Sequence, residues 1–203
     1  MRDQENILSV AKLLPDYMGF IFYPKSKRFV GNEFIIPKTL PKSIKRVGVF
    51  VNETSKEIIR LSQKHKLDFI QLHGSETVQQ CYELKENGLG LIKVFSVDKY
   101  FNFAAVKPYE KIANYFLFDT KSGNYGGTGK AFDWSILKQY DQQIPFFLSG
   151  GLSVSNIQHT KDLLKMNLHA FDVNSSVELE PGIKEIPSLK EIKLEIIKLL
   201  HNL

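Results

Sequence analysis

Apolar segments of strand length alternate with segments of helical periodicity along most of the chain. The strand candidates are predominantly apolar and do not alternate with polar residues, which is typical of strands buried on both faces of a parallel sheet. The pattern predicts strands over Gly19–Tyr23, Val47–Val51, Phe69–Leu72, Leu91–Val97, Tyr115–Phe118, Pro145–Leu148 and Ala170–Val173. It predicts helices over Gln4–Leu14, Ser55–Lys66, Glu76–Glu86, Tyr100–Lys107, Trp134–Gln139, Ser155–Lys165 and Leu189–Leu200. This alternation indicates an α/β fold whose sheet is covered by helices.

The length of 203 residues and the absence of a linker-like segment predict one domain over residues 1–203. A closed TIM (β/α)8 barrel fits within about 200 residues, but it has eight strands and begins with one. This chain shows seven strand candidates and begins with a helix. An open doubly wound sheet is the alternative, yet no Gly-x-Gly-x-x-Gly turn follows an early strand. We therefore expect a TIM barrel whose first β-strand is missing from this sequence.

The charge pattern narrows the class of ligand. Lys and Arg number 27 against 22 Asp and Glu, a formal charge of +5, and the lysines are scattered instead of clustered, which disfavours nucleic-acid binding. A mildly positive field favours small anionic substrates.

The single cysteine, Cys81, cannot form an internal disulfide or a cysteine metal cage, and no two histidines stand at metal-ligand spacing, so we expect no metal. Without an apolar leader or span, we expect a cytoplasmic protein with no membrane partner, monomeric or homodimeric.

Candidate catalytic residues follow the strand candidates, where parallel barrels place their active sites. Asp119 ends an apolar run, and such surroundings favour a carboxyl group that keeps a proton for donation. Taken alone, a turn-capping role for Asp119 is the more common one. Arg28 has a planar guanidinium suited to holding a carboxylate, with a surface salt bridge as the alternative. His73 is a lone histidine, more often structural than catalytic, and Cys81 lies on an apolar helix stripe that faces the core.

The last two strand candidates are followed by loops suited to an anion. Gly150 and Gly151 allow backbone N–H groups to approach a phosphate, and the next loop offers the hydroxyls of Ser175 and Ser176. Phosphate sites of barrels are commonly built from these two loops, so we expect phosphate binding here, with two ordinary tight turns as the alternative. The glycine-rich segment 121–130 is a candidate lid, with a tight irregular loop as the alternative.

Six segments in this order resemble the phosphoribosylanthranilate isomerase family, barrel enzymes of tryptophan biosynthesis. They are Gly19–Tyr23 with Lys25–Arg28, Val47–Asn52, Gln71–Gly74, Phe118–Thr120 with the stretch to Trp134, Leu148–Leu152, and Asp172–Glu178. The resemblance implies an Amadori rearrangement of N-(5-phosphoribosyl)anthranilate to 1-(2-carboxyphenylamino)-1-deoxyribulose 5-phosphate, with no cofactor. It also implies residue roles: Asp119 as general acid, Arg28 on the anthranilate carboxylate, Gly150, Gly151, Ser175 and Ser176 on the phosphate, and His73 and Asp172 lining the pocket.

Two positions depart from the family pattern. Ser176 stands where the family usually has glycine, and its hydroxyl can donate a hydrogen bond that compensates for lost backbone freedom. The family's first strand and its cysteine, the base that removes the C2′ proton, have no counterpart in this sequence. We expect the native start to lie upstream of Met1. If the chain folds as given, we expect a disordered N-terminus, a gap between the first and last visible strands or another chain filling it, and severely reduced activity.

Two other functions fit part of the pattern. One is a non-catalytic phosphate-binding barrel that acts as a ligand sensor or assembly partner, which the missing base favours and the retained Asp119 disfavours. The other is a related barrel such as indole-glycerol-phosphate synthase, which needs lysine and glutamate at several strand ends, where this chain has His73 and Asp119. The isomerase is the preferred prediction.

Overall fold

The computed structural model describes residues 1–120 and 134–201. Its main feature is a seven-stranded parallel sheet in which each strand pairs with the next strand along the chain. The strands are β1 Tyr17–Ile21, β2 Lys45–Phe50, β3 Phe69–Leu72, β4 Gly90–Val97, β5 Tyr115–Thr120, β6 Phe146–Ser149 and β7 Leu168–Phe171. The predicted α/β class with a parallel sheet is confirmed, and the sequential strand order is that of a TIM barrel.

The described helices are of two kinds. The α-helices are α1 Gln4–Ala11, α2 Ser55–His65, α3 Val78–Glu86 and α4 Ile186–His201, and the 3-10 helices span Phe103–Tyr109, Trp134–Gln139, Ile157–Lys165 and Ser175–Val177. A short antiparallel ladder joins β8 Glu178–Glu180 to β9 Ile183–Lys184. Three segments with helical periodicity are thus 3-10 instead of α-helical. Pro108 lies inside the first and removes a backbone donor, and Asn156 gives the third no side-chain cap.

The side chains on one face of the sheet pack against one another. Side chains from all seven strands form a single cluster: Tyr17, Val47, Phe69, Ile92, Val94, Tyr115, Leu117, Phe147 and Ala170. Residues of distant strands can meet in this way only if the sheet curls around them. The alternate residues of the same strands, such as Ile70, Phe116 and Leu148, pack in two larger clusters with side chains of the helices. Both faces are therefore buried, which explains why the strands are predominantly apolar.

The two edges of the sheet, β1 and β7, form no ladder with each other in the described part of the chain. They are linked at their amino ends, where Tyr17 Oη lies 2.7 Å from His169 Nε2. The nitrogen of Met1 donates to the Gly19 carbonyl on the free side of β1 at 3.2 Å, and the Met1 side chain is buried. Of the three alternatives, the described residues show the gap between the strands, with an ordered N-terminus beside it.

The first and last strands begin two residues earlier than predicted, at Tyr17 and Leu168. In β1 the register pairs Tyr17 with Lys45. The starting residue of a parallel strand is set by the partner strand, which the local apolar pattern does not contain. Both strands also end two residues earlier than predicted, at Ile21 and Phe171. The residues that follow them form loops of the candidate site.

Candidate active site

Asp119 and His73 meet at the carboxyl ends of the strands. Asp119 lies near the end of β5 and His73 directly follows β3, and His73 Nε2 lies 3.6 Å from Asp119 Oδ2. Their side chains are 31% and 34% exposed, so both are accessible from the mouth of the curled sheet. Because the strands are parallel, their ends lie at one edge, which brings together residues far apart in sequence.

A side chain of the strand below His73 contacts its ring. Gln71 Nε2 lies 3.1 Å from His73 Nδ1. An amide nitrogen only donates hydrogen bonds, so this contact favours the tautomer in which Nδ1 accepts and the proton is on Nε2. That proton faces the carboxylate of Asp119. Gln71 and His73 are two residues apart and therefore share one face of the strand.

Asp172 follows β7 and contributes a further carboxyl group to this edge. Ser149, the last residue of β6, donates its hydroxyl proton to Asp172 Oδ2 at 2.9 Å. Burial raises the pKa of Asp172, and the negative charge of Asp119 adds to the rise, against the opposing effects of Ser149, Lys184 and His73. Asp172 therefore interacts electrostatically with Asp119 and His73, and its role in lining a substrate pocket stays a prediction.

Arg28 lies on the other side of the gap, in the loop after β1. Its Nε donates to Glu178 Oε1 and Oε2 at 3.1 and 2.9 Å and its Nη2 donates to Oε2 at 2.6 Å, a bidentate ion pair in which the Glu178 side chain is only 4% exposed. Lys184 Nζ lies 3.0 Å from Glu178 Oε1. Burial alone would raise the pKa of Glu178, but Arg28 and Lys184 outweigh it and hold the pKa below its ordinary value. The described residues thus show the salt bridge; contact with a substrate carboxylate stays a prediction for Arg28.

In the loop after β6 both glycines have positive φ angles. Gly150 and Gly151 have φ angles of +94° and +65°, a region that favours glycine. The Asn156 side chain closes this loop, since its Nδ2 donates to the Gly151 carbonyl and its Oδ1 accepts from Ser153 N, both at 2.8 Å. The following helix begins at Ile157, two residues later than predicted.

The loop after β7 lies against it. Ser175 and Ser176 begin the short 3-10 helix and are both exposed. The Ser176 hydroxyl donates to the Leu152 carbonyl, which joins the two predicted phosphate loops. Glycine at position 176 could not make this bond. Phosphate contact by Gly150, Gly151, Ser175 and Ser176 stays a prediction.

Several candidate features lie away from this edge or outside the described residues. Cys81 is buried on α3, and burial raises the pKa of its thiol to about 11, which makes it a poor nucleophile. The candidate lid, segment 121–130, falls outside the described residues. Among the side chains that are described, none form a group of three or more suited to holding a metal ion. No helix in the described ranges has the length and apolarity needed to cross a membrane.

Sequence reasoning missed four buried or half-buried charged residues that support the site: Glu76, Lys93, Glu178 and Lys184. Lys93 gave a usable signal, because it interrupts an otherwise apolar strand candidate. A charge in such a strand needs a buried partner. Nothing in the sequence indicates which acidic residue supplies it.

The family model for N-(5'phosphoribosyl)anthranilate (PRA) isomerase matches residues 1–193. The chain belongs to this family. An N-(5'-phosphoribosyl)anthranilate isomerase of Parabacteroides distasonis is 41% identical over 200 residues, which cover 97% of this chain and 90% of the relative. The crystal structure of a phosphoribosyl anthranilate isomerase from Thermotoga maritima has a TM-score of 0.82 and 33% identity, covering 100% of this chain and 96% of that one.

A second solved structure shows a related isomerase with a ligand. It is a phosphoribosyl anthranilate isomerase in complex with reduced 1-(O-carboxyphenylamino)-1-deoxyribulose 5-phosphate, with a TM-score of 0.78 and 31% identity over 94% of this chain and 92% of that one. The family predicted from the six segments is therefore confirmed, and so is the prediction of an isomerase enzyme.

Proposed function

We propose that this chain isomerises N-(5-phosphoribosyl)anthranilate to 1-(2-carboxyphenylamino)-1-deoxyribulose 5-phosphate, a step of tryptophan biosynthesis, with Asp119 as the general acid. The observation that carries the proposal is the Asp119–His73 pair at the open end of the curled sheet, 3.6 Å apart and accessible from solvent. Family membership over residues 1–193 supports the substrate. The cytoplasmic location expected from cysteine usage belongs to the same proposal.

Asp119 starts the reaction by giving its proton to the ring oxygen of the ribose. The bond between C1′ and that oxygen breaks, the oxygen leaves as a hydroxyl group, and the anthranilate nitrogen supplies the electron pair that forms the Schiff base. Water at the solvent-accessible open end of the sheet then takes up the C2′ proton, which gives an enolamine, and the enolamine tautomerises to the ketone. His73 assists because its Nε2 proton faces Oδ2, which orients the carboxyl group toward the substrate.

The substrate's two anionic ends are assigned to two sets of loops at this end of the sheet. Arg28 follows β1, and its Nε–Nη2 edge is paired with Glu178. No described residue hydrogen-bonds to Nη1 of Arg28, so the remaining edge of the guanidinium is assigned to the anthranilate carboxylate. The phosphate is assigned to the joined loops of Gly150, Gly151, Ser175 and Ser176, whose backbone N–H groups suit an anion.

Replacement of Asp119 by asparagine tests the acid. Asparagine keeps the size of the side chain but has no proton to give to an oxygen, so kcat falls about 10²- to 10⁴-fold. Binding of the reduced product analogue changes little, because the phosphate and carboxylate contacts remain. The assay follows loss of substrate fluorescence, using both the 203-residue chain and the chain with any in-frame upstream coding sequence restored.

Asp98→Asn is the matched control. Asp98 directly follows β4 at the same end of the sheet, but its carboxylate accepts from Tyr100 N in a turn. Its replacement leaves kcat unchanged. Retention of kcat within about threefold in Asp119→Asn would remove the general-acid assignment.

A further inference from the structure

A buried ion pair lies beneath the loop that carries His73. Lys93 Nζ on β4 is 2.8 Å from Glu76 Oε2, and the two side chains are 4% and 0% exposed. Charges removed from water to this extent are costly unless each is hydrogen-bonded as well as paired. Lys93 and Glu76 therefore make further hydrogen bonds, and the backbone groups at the other end of those bonds are the ones that the pair holds in place.

Nearly all of those bonds go to the segment around His73. Lys93 Nζ donates to the carbonyls of Leu72 at 3.3 Å and Gly74 at 2.8 Å. Glu76 Oε1 accepts from the backbone N–H of Gly74 at 3.0 Å. The residues on both sides of His73 are thus bound to the pair, and Gly74 is bound through both its N–H and its carbonyl.

The neighbouring loop after β2 is tied to the same pair. Asn52 donates its backbone N–H to Glu76 Oε1 at 2.9 Å, and its side-chain Oδ1 accepts from Ser75 N at 2.7 Å. Asn52 has a φ angle of +51°, in the left-handed region that asparagine adopts more readily than most residues. A Cβ at Gly74 would clash with the side chain and backbone of Asn52. The segment from His73 to Glu76 consequently has little freedom to move.

We propose that Glu76 and Lys93 are positioning residues that fix Gly74 and thereby hold the His73 imidazole against Asp119. The inference rests on the proposed function, in which Asp119 is the acid and His73 orients it. Both side chains are almost fully buried, so they act through His73 and not on the substrate. Their net charge is zero, so their removal leaves the field at the site nearly unchanged.

The double variant Glu76→Gln/Lys93→Met is the principal test, because removing both charges leaves no unpaired buried ion. The imidazole ¹⁵N shifts of His73 report its tautomer without any activity measurement. In the parent chain they show the proton on Nε2; in the double variant they move toward a mixture of tautomers. Misplacement of this kind lowers kcat by about 10- to 100-fold, with a smaller change in KM.

Leu199→Ala is the control for lost stability alone. Leu199 is fully buried on α4, which follows β7, four strands away from β3 in the sheet. The Leu199→Ala substitution lowers the denaturation midpoint but leaves the His73 shifts and kcat unchanged. Should the double variant fail to fold, Glu76→Asp replaces it. Aspartate keeps the charge that pairs with Lys93 but is one methylene shorter, so it cannot keep the hydrogen bonds to Gly74 and Asn52 together, and the same changes in the His73 shifts and in kcat are expected.

The outcomes separate this inference from the proposed function. A folded variant with parental His73 shifts and kcat overturns the positioning role. A parent chain with no isomerase activity in either form overturns the proposed function, while the His73 shifts still decide whether the pair controls the imidazole.

Discussion

Replacing Glu178 with glutamine removes the carboxylate that joins the two edges of the sheet. Glu178 follows β7, Arg28 follows β1, and their bidentate pair spans the gap between those strands. Lys184 Nζ lies 3.0 Å from the same carboxylate, with its side chain 9% exposed. The substitution therefore leaves two cations near each other with no anion between them, one of them almost fully buried.

The size of the effect follows from this burial. Removing one partner of a buried ion pair costs about 3–5 kcal/mol, and the 26% exposure of Arg28 places this case at the lower end. We expect the free energy of unfolding to fall by about 3 kcal/mol, measured by urea denaturation at pH 7. For a chain of about 200 residues this corresponds to a fall in Tm of about 6–12 °C.

The pH dependence gives a second measurement. The pKa of Glu178 is lower in the folded state than its ordinary value. Its stabilising contribution is therefore complete at neutral pH and is lost as the pH falls through the folded pKa. The difference in stability between the parent and Glu178→Gln should accordingly shrink below about pH 4.

An exposed pair of similar geometry is the control. Arg60 on α2 pairs with both carboxylate oxygens of Glu57, from Nε to Oε2 at 2.7 Å and from Nη2 to Oε1 at 2.6 Å, and the two side chains are 57% and 37% exposed. Exposed pairs contribute little, so Glu57→Gln should leave the urea midpoint nearly unchanged. If Glu178→Gln were as mild as Glu57→Gln, the buried pair would not hold the sheet edges together.

Three further substitutions test other contacts. Asp172→Asn should raise the free energy of unfolding at pH 7 but not at pH 3: the folded state raises the pKa of Asp172, so ionisation costs stability that is regained as the carboxyl is protonated. Tyr17→Phe removes the hydrogen bond to His169 across the gap and should cost about 0.5–1.5 kcal/mol in urea denaturation. Ser176→Ala removes the bond to the Leu152 carbonyl and should weaken binding of the reduced product analogue about 2- to 10-fold by calorimetry.

Each of these has a result that contradicts it. Equal stabilisation by Asp172→Asn at both pH values would show that its ionisation is not the cause. Tyr82→Phe, at a tyrosine that is 51% exposed on α3, is the control for Tyr17→Phe, and equal effects would mean that the contact across the gap contributes nothing. For Ser176→Ala, an unchanged affinity would show that the two loops keep their places without the hydroxyl.

The site was predictable to the extent that strand ends were predictable. Asp119, His73 and Asp172 each follow an apolar run, so the parallel sheet alone places them at one edge. The partner of Arg28 was not predictable, because Glu178 is 150 residues away in the chain and the two meet only across the gap between the outer strands. The same holds for Lys93 and Glu76, which belong to different loops and strands.

The sequence by itself determined the order of the strands and helices, since predominantly apolar runs require burial on both faces and alternation with helices allows parallel pairing. It also determined which residues end those runs, and, through six short segments, the family. Only the tertiary structure decided the register of β1 and β7, the 3-10 form of three helices, and the partners of the buried charges. These depend on which distant groups satisfy one another once water is excluded, and that choice is made by packing in three dimensions.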